Sequence, residues 1–410
     1  MTRHRSATVT MLRAVLAALC LAVPAQAQAR TLHIDVASKG GHCKDGYSVA
    51  QAARAKTPWC SIKRALNAAP PGSILDLRSG TYRSVSPTDM TRAPSKLTLR
   101  SHKGETAVVT QVRLTSCSKL AFRRLKLDFV RIEHCPGSSF VDDEVVDEGL
   151  WAFFSNDLRF VDNRIHDTDN GMILTQDKNV LVEGNDLSHV PRTTYVGDGG
   201  DGMQLQAVSH ITVRRNVFHD FLTHAHTDAM EFAASNDRVT LDSNVFRSVR
   251  GIISVPHPVF KGPFSDTHWV IVNNEFVDLT QWAFELLNVP GARIVNNTAW
   301  DAGHGMRLHG DTKGVVMANN IADFVSADAA GEVGRSSGNV FGEVDGAYHP
   351  GSTDTIGMPT FVNAAAGNFQ LAAGSLGIDH ATADLAPKRD QLGHARAGAP
   401  DSGAFEFQPR

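Results

Sequence analysis

Charged, imidazole and amide side chains concentrate in one part of the sequence, between Asp198 and Lys261. They are Asp198, Asp201, Gln204, His219, Asp220, His224, His226, Asp228, Glu231, Arg250, His257 and Lys261, followed further along by His268, Glu285, His304, Arg307 and His309. Asp201 and Asp228 stand at matching places, each two residues before a methionine. Two carboxylates held close together need a cation, a shared proton or solvent. The pattern therefore predicts acid–base or cation chemistry, and the plainer interpretation is a pair of solvated turn aspartates.

This set of side chains could catalyse β-elimination on a uronic-acid polysaccharide. In that reaction a base takes the proton beside the carboxylate, and a cation stabilises the charge that develops. His226 or His257 would be the base, and Lys261, Arg250 or Arg307 would stabilise the charge. The expected catalytic residues are His226, Asp228, Glu231, His257, Lys261 and Arg307.

Four acids of the same region could bind Ca²⁺, a hard ion that prefers several oxygen ligands. They are Asp198, Asp201, Asp228 and Glu231. The expected substrate-binding residues are Gln204, Arg250, Glu285 and His304.

Two other chemistries use the same residues. Asp201, Asp228 and Glu231 also supply the paired carboxylates of a glycoside hydrolase. His224, His226 and Asp228 alternate, so an extended backbone would put them on one side, where zinc could bind. Because no fourth zinc ligand is marked by its spacing, we prefer calcium to zinc.

A repeat must position these side chains. The pattern apolar, any, apolar, any, any, Asn occurs seven times, ending at Asn163, Asn185, Asn216, Asn244, Asn274, Asn297 and Asn320. The steps between these asparagines are 22, 31, 28, 30, 23 and 23 residues. Repeats with this period are typical of solenoids.

A step of 22 or 23 residues fits one coil of three short strands that pair in parallel with the next coil. The predicted fold is therefore an all-β parallel β-helix. We expect each asparagine to occupy a tight corner, where it tolerates left-handed backbone and bonds the neighbouring coils, with no chemical role.

A second strand precedes each asparagine pattern, and its residues should alternate between the core and the surface. The inward residues are Met172, Met203, Met230, Ile252, Phe284 and Met306. The outward row is Ile173, Gln204, Glu231, Ile253, Glu285 and Arg307.

The three long steps imply inserted loops at residues 187–200, 219–227 and 255–267. Loops on three consecutive coils would wall a groove. At about 4.8 Å per coil, the three coils span about 10–15 Å, or two to three sugar units. The plainer interpretation is that the three are surface loops without a function. The charged residues and histidines they contain argue against it.

The N-terminus predicts export. Residues 1–29 contain arginines, then a short apolar run, then small residues, which is the pattern of a secretory signal peptide. We expect cleavage after Ala27 or Ala29. The net charge of −3 does not indicate the basic surface that nucleic-acid binding requires. We expect a secreted or periplasmic monomer with no membrane span after cleavage, acting on a polysaccharide.

Four cysteines remain after cleavage, an even number that suggests two disulfides in an exported chain. We prefer Cys43–Cys60 and Cys117–Cys135 because each closes a short loop. Buried free thiols are the alternative.

The chain divides into four parts. After the signal, residues 30–96 are expected to form the first strands and a capping helix, with Ser61 as the N-cap and Pro70 after its end. Residues 97–326 form the coils, and residues 327–410 form looser coils and a second cap.

The chain resembles the pectin-lyase-like right-handed parallel β-helix proteins over nearly all of its mature length. The similarity lies in the segments 59–66, 69–73 and 79–82, in the asparagine coils, and in the closing segment from Asn368 to Glu406. The resemblance implies a right-handed solenoid. This superfamily includes lyases, hydrolases, epimerases and proteins without activity.

Two short segments look like motifs of polygalacturonase-type hydrolases. They run from Thr227 to Glu231 and from Gly303 to Met306. In that family one coil separates the two segments and an adjacent Asp pair lies between them, whereas here they lie three coils apart and the pair is missing. We therefore put β-elimination ahead of hydrolysis, with a non-catalytic glycan-binding β-helix as the third possibility.

Overall fold

The computed structural model describes residues 29–38, 42–190, 200–221, 227–256, 264–328, 333–396 and 398–409. Within them, every coil strand pairs in parallel with strands of the neighbouring coils, and the strands form three stacked sheets around one core. The fold is an all-β, right-handed parallel β-helix, as the repeat and the resemblance predict.

Sheet 1 holds the strands that precede the corner asparagines. Its described strands are Thr31–Ile34, Ile74–Leu77, Thr98–Ser101, Ala121–Arg123, Ser139–Val141, Arg159–Val161, Lys178–Glu183, Ser209–Arg214, Asp237–Asp242, Val270–Val272, Arg293–Val295, Val315–Ala318 and Val333–Ser337.

Sheet 2 holds the short strands that follow the corners. Its described strands are Gly80–Tyr82, Ala107–Val109, Arg164–Thr168, Asp186–Ser188, Val217–His219, Val245–Arg247, Glu275–Val277, Thr298–Trp300 and Thr355–Ile356.

Sheet 3 completes each coil and carries the outward row. Its described strands are Val112–Thr115, Met172–Thr175, Met203–Gln206, Asp228–Ala233, Arg250–Val255, Trp282–Leu287 and Gly305–His309. Four longer strands run through both sheet 2 and sheet 3: Lys126–Glu133, Glu144–Phe153, Ile321–Ala327 and Val340–Gly346.

The core follows from alternation along these strands. The predicted inward residues, Met172, Met203, Met230, Ile252, Phe284 and Met306, are all fully buried. Aromatic rings stack in register between coils, as in Phe218, Phe246 and Phe276, whose ring centroids are 4.9 and 4.6 Å apart. The prediction of one continuous core inside the solenoid is confirmed.

The corner asparagines form the predicted ladder between coils. The backbone N–H of Asn216 donates to the side-chain oxygen of Asn244 at 3.0 Å, and Asn244 donates to Asn274 at 2.9 Å. Each side-chain amide also bonds a carbonyl of the previous coil, such as Asn244 Nδ2 to Val213 O at 2.9 Å. The ladder extends beyond the seven repeats to Asp143 at one end and Asp354 at the other.

One detail of the corner prediction is wrong. The left-handed residue is the one before the ladder asparagine, as at Arg215 (φ 55°), Ser243 (φ 58°) and Asn273 (φ 55°). Asn216 and Asn244 do not have positive φ. The asparagine is required for its bonds to the next coil, and the preceding position bears the backbone turn.

The N-terminal end of the solenoid is covered by two α-helices, Val49–Ala52 and Ile62–Ala68. Ser61 caps the second by accepting a hydrogen bond from the N–H of Arg64, as predicted. The disulfides Cys43–Cys60 and Cys117–Cys135 are both present, which confirms the preferred pairing.

The C-terminal part ends in a return segment, residues 359–409, that lies back along the coils. It contains the antiparallel pair Phe361–Asn363 and Asn368–Leu371 and the 3₁₀ turn Ala364–Ala366; another 3₁₀ turn, Pro87–Asp89, lies near the N-terminus. Two of its bonds to the coils are Asn273 Nδ2 to Arg389 O at 3.0 Å and Asn296 Nδ2 to Asp401 O at 2.9 Å. None of the described helices has the length and apolar character needed to cross a bilayer.

Candidate functional site

The predicted outward row lies along sheet 3. Parallel register joins Ile173 to Gln204, Gln204 to Glu231, Glu231 to Ile253, Ile253 to Glu285 and Glu285 to Arg307. All six side chains are partly exposed, while their neighbours in the core are buried. Six consecutive coils therefore present one continuous strip of side chains.

A second row stands at the starts of the same strands. It consists of Asp201, Asp228, Arg250 and Trp282, one from each of four successive coils, with exposures of 1, 3, 6 and 9%. Gly202 follows Asp201, and a Cβ at Gly202 would lie 2.7 Å from the carbonyl oxygen of Ala229. The coils approach so closely here that only glycine fits beside the buried acid.

Three carboxylates meet where the two rows adjoin. One oxygen from each of Asp201, Asp228 and Glu231 lies within 4.8 Å of the others. The three residues come from two neighbouring coils, and the group is the cluster expected from the matching Asp-Gly-Met and Asp-Ala-Met sequences. We call this group the carboxylate cluster.

Asp201 is held in place from both sides. Its Oδ1 accepts the backbone N–H of Asp228 at 2.8 Å, and its Oδ2 accepts the side-chain amide of Gln204 at 2.9 Å. Burial raises the pKa of Asp201 well above its usual value, and the charges of Asp228 and Glu231 raise it further. The cluster therefore favours a bound proton or cation over three bare charges.

Asp228 faces the only cation in the buried row. Arg250 Nε lies 3.2 Å from Asp228 Oδ1, and the Arg250 guanidinium stacks on the ring of Trp282 at 4.7 Å from its centroid. Burial raises the pKa of Asp228 to about 7, Arg250 opposes that rise, and Glu231 and Glu285 add to it. Asp228 consequently changes its charge near neutral pH.

The C-terminal part of the strip carries a second charged group. Glu285 lies 3.4 Å from Arg307 Nη1 and 3.1 Å from His309 Nε2. His304 is exposed in the turn before strand Gly305–His309. Register places His304 three coils from Asp228, which agrees with the spacing that separates this chain from polygalacturonase-type hydrolases.

Several predicted site residues lie outside the described residues. They are Asp198, His226, His257 and Lys261. Most of each expected groove loop lies there too, because the described stretches end at Val190, Phe221 and Pro256 and resume at Gly200, Thr227 and Phe264.

Trp282 was not predicted from the sequence, and His309 was named there without an assigned role. Trp282 supports Arg250, and His309 contacts Glu285. A signal for Trp282 is present, since it stands two residues before buried Phe284 just as Asp228 stands two before Met230. His309 likewise stands two residues after Arg307, on the same side of its strand.

Comparison with known proteins agrees with the architecture. The family described as the right-handed β-helix region matches residues 108–257. A structure solved as the complex of XylC with xylose superposes with a TM-score of 0.58, covering 92% of this chain and 98% of that one at 9% identity.

The comparisons thus show that the chain has the right-handed parallel β-helix fold. Other solved structures similar to this β-helix include pectate lyase Pel9A, at 14% identity and a TM-score of 0.47, covering 93% of this chain and 98% of that one. A GH87 α-1,3-glucanase from Streptomyces thermodiastaticus strain HF3-3 matches at 16% identity and a TM-score of 0.49, covering 79% and 67%. No curated protein matches the sequence.

Proposed function

We propose that this β-helix is an exported enzyme that cleaves an acidic, uronic-acid-containing polysaccharide by β-elimination. The observation that carries the proposal is the carboxylate cluster of Asp201, Asp228 and Glu231 beside the buried Arg250. A protein with a similar fold has been solved with xylose bound, which is consistent with recognition of a sugar. The two disulfides are consistent with export.

The donor atoms of the cluster suit a hard divalent cation such as Ca²⁺. All three groups offer carboxylate oxygens within 4.8 Å of one another, and Ca²⁺ is bound by oxygen ligands. Asp201, Asp228 and Glu231 would hold the cation, with Asp198 as a further predicted ligand. A bound Ca²⁺ would supply positive charge that neutralises the carboxylate of the substrate.

The basic residues of this chain would have separate roles in the elimination. Arg250 lies beside Asp228 and contributes a fixed positive charge to the centre. His226 or His257 would take the proton from the carbon beside the uronate carboxylate, and Lys261 would help to stabilise the charge that develops. The electron pair of that C–H bond becomes a carbon–carbon double bond as the glycosidic C–O bond breaks, and the leaving oxygen takes a proton.

Hydrolysis is the second candidate, and one observation favours it. The pKa of Asp228 is raised to about 7, which suits a general acid that protonates a leaving oxygen near neutral pH. In this reaction a second carboxylate, Glu231 or Asp201, would serve as base or nucleophile.

A screen of acidic polysaccharides distinguishes the two reactions. Elimination produces an unsaturated uronate that absorbs in the ultraviolet, whereas hydrolysis produces new reducing ends without that absorbance. Glycan binding without either product would identify a binding protein and overturn the proposal.

We expect Glu231→Gln and Asp228→Asn each to lower kcat at least a hundredfold, because both change the charge of the cluster while keeping its shape. Ca²⁺ should raise the melting temperature of the wild type and not of Asp228→Asn, since a ligand stabilises the fold it binds. Asp157→Asn, at an exposed corner, is the matched control. Wild-type turnover in both cluster variants would show that the active centre lies elsewhere.

A further inference from the structure

The outward strip of sheet 3 continues beyond the carboxylate cluster toward the N-terminal end of the solenoid. Register joins Ile173 to Trp151, Trp151 to Arg131 and Arg131 to Arg113. Trp151 is partly exposed, and the side chains of Arg131 and Arg113 are 42 and 46% exposed. The strip therefore changes from acidic at the cluster to cationic and aromatic further along.

Aromatic rings pack against the guanidiniums of the two arginines. The guanidinium of Arg113 lies over the ring of Phe129 at 4.9 Å, and that of Arg131 lies over Phe153 at 4.6 Å. Phe129 is buried and meets the Trp151 ring edge-on, with centroids 5.0 Å apart. A guanidinium stacked on a ring loses part of its freedom before any ligand binds, which lowers the entropy lost on binding.

The two arginines repel each other, and each forms an ion pair with an acidic neighbour that is longer than a hydrogen bond. They stand directly opposite in register, an arrangement of like charges that is destabilising. Arg113 is 3.8 Å from Glu148 and Arg131 is 3.6 Å from Glu133, both partly exposed. Exposed pairs of this kind contribute little stability, so an incoming carboxylate could replace them and bind the guanidiniums in a bidentate manner.

We propose that Trp151, Arg131 and Arg113 form a distal subsite for an anionic sugar unit of the polysaccharide. The exposed part of the Trp151 ring would support the flat C–H face of a sugar, and the arginines would bind its carboxylate. Trp151 is three coils from Glu231, or about 14 Å at the parallel strand spacing. That distance corresponds to about three sugar units, so the subsite selects long acidic chains. This inference rests on the proposed function for its substrate class.

The experiment measures binding separately from cleavage. Trp151→Ala and Arg131→Gln would be titrated with polygalacturonate, alginate and neutral dextran, together with the wild type. Phe154→Ala is the aromatic control, because Phe154 is 42% exposed and stacks on His134 outside the strip. Arg159→Gln, at an exposed position of sheet 1, is the cationic control.

We expect both subsite variants to bind the acidic glycan about tenfold more weakly, with both controls unchanged. If the chain cleaves its glycan, kcat/KM should fall for long substrates and stay constant for fragments of two units, since short fragments cannot reach both places. Equal binding by wild type and subsite variants, or no binding of any acidic glycan by the wild type, overturns the subsite. If all variants cleave the glycan as the wild type does, the subsite is wrong and the proposed function is still supported. If binding depends on Trp151 but no cleavage occurs, the subsite is supported and the proposed function is wrong.

Discussion

Arg250 is the residue on which the charge of the cluster depends. It is buried between Asp228 and Trp282, and its positive charge opposes the rise in the pKa of Asp228 that burial causes. A cation can bind the cluster only as the carboxylates lose their protons, so its affinity should increase as pH rises through about 7.

Arg250→Gln should shift this pH dependence. Without the guanidinium the pKa of Asp228 rises further, and half-maximal Ca²⁺ binding moves to higher pH by about 0.5–1 unit. Calorimetric titration at several pH values measures the shift. Trp282→Phe keeps an aromatic surface for Arg250 and should stay close to the wild type. A profile that does not move, or moves to lower pH, would contradict the role given to Arg250.

Asp177 is a buried acid that ties two coils at another corner. Its Oδ1 accepts the backbone N–H of Ser155 at 2.6 Å, and burial raises its pKa to about 7 despite the hydrogen bonds it accepts. The folded state therefore holds a proton that the unfolded chain releases near the ordinary aspartate pKa of 3.8. The stability from this group is fully present below that value and is lost as pH rises toward 7.

Asp177→Asn should remove the loss of stability that the wild type shows as pH rises toward 7. At pH 8 the variant should be more stable than the wild type by about 1–3 kcal/mol, and at pH 4 the two should be nearly equal. Denaturant unfolding at both pH values tests it. Asp157→Asn is the matched control, at an exposed position of the same corner in the preceding coil. A gain of equal size at both pH values would mean that proton binding is not the cause.

At the scale of one element, the corner ladder determines how the strands stack. Asn244 makes bonds in both directions: it donates to Asn274 and to Val213, and its oxygen accepts the backbone and side-chain N–H groups of Asn216. Asn244 therefore bonds buried groups of both the coil before it and the coil after it.

Asn244→Ala should lower the free energy of unfolding by about 2–4 kcal/mol, because it leaves buried N–H groups of Asn216 without their acceptor. Asn156→Ala, at an exposed corner, should change it by less than about 0.5 kcal/mol. Thermal or denaturant unfolding compares the two variants. Similar losses in both would show that the ladder bonds contribute no more than ordinary surface contacts.

At the scale of the whole molecule, the return segment binds the last coils together. Arg396 is almost fully buried in it, 3.0 Å from Glu406 and 3.3 Å from the side-chain oxygen of Asn273. The segment also covers Glu275, whose buried carboxyl has a pKa raised to about 7 by burial. The described surface around Glu275 and Phe369 includes a cavity of about 490 Å³ between coils and segment.

Arg396→Ala should detach this segment before the coils unfold. Removing one member of a buried ion pair leaves the other uncompensated, at a loss of about 3–5 kcal/mol. Limited proteolysis should then cut the variant within residues 359–409 while the coils stay intact. Arg335→Ala, which removes an exposed ion pair between a coil and Asp384, is the control. Cleavage spread over the whole chain would indicate that segment and coils unfold together.

The sequence predicts the coils well because alternation and the asparagine period are local signals. The inward residues from Met172 to Met306 and the corner bonds of Asn216 and Asn244 both follow from these signals. The left-handed positions are harder to predict, since they hold residues as different as Arg215, Ser243 and Gly184.

The other features depend on contacts between distant parts of the chain. The contact between Trp282 and Arg250 joins two coils. It depends on how the coils align, and no single segment of the sequence shows that alignment. The return segment has no period, so its place along the coils could not be derived. A partial signal for it exists in the pairs Asn273–Asn274, Asn296–Asn297 and Asn319–Asn320. In each pair the second residue continues the ladder and the first bonds the return segment.

The corner ladder has a consequence for how such a protein can change over generations. Each coil offers its neighbours the same set of bonds, so a gene duplication or deletion of one whole coil leaves the flanking coils with equivalent partners. The strip of sheet 3 can then lengthen or shorten in steps of one coil without a new fold. Under the proposed function, the number of sugar units bound would then change in steps of whole coils, while the cluster at Asp201, Asp228 and Glu231 stays unchanged.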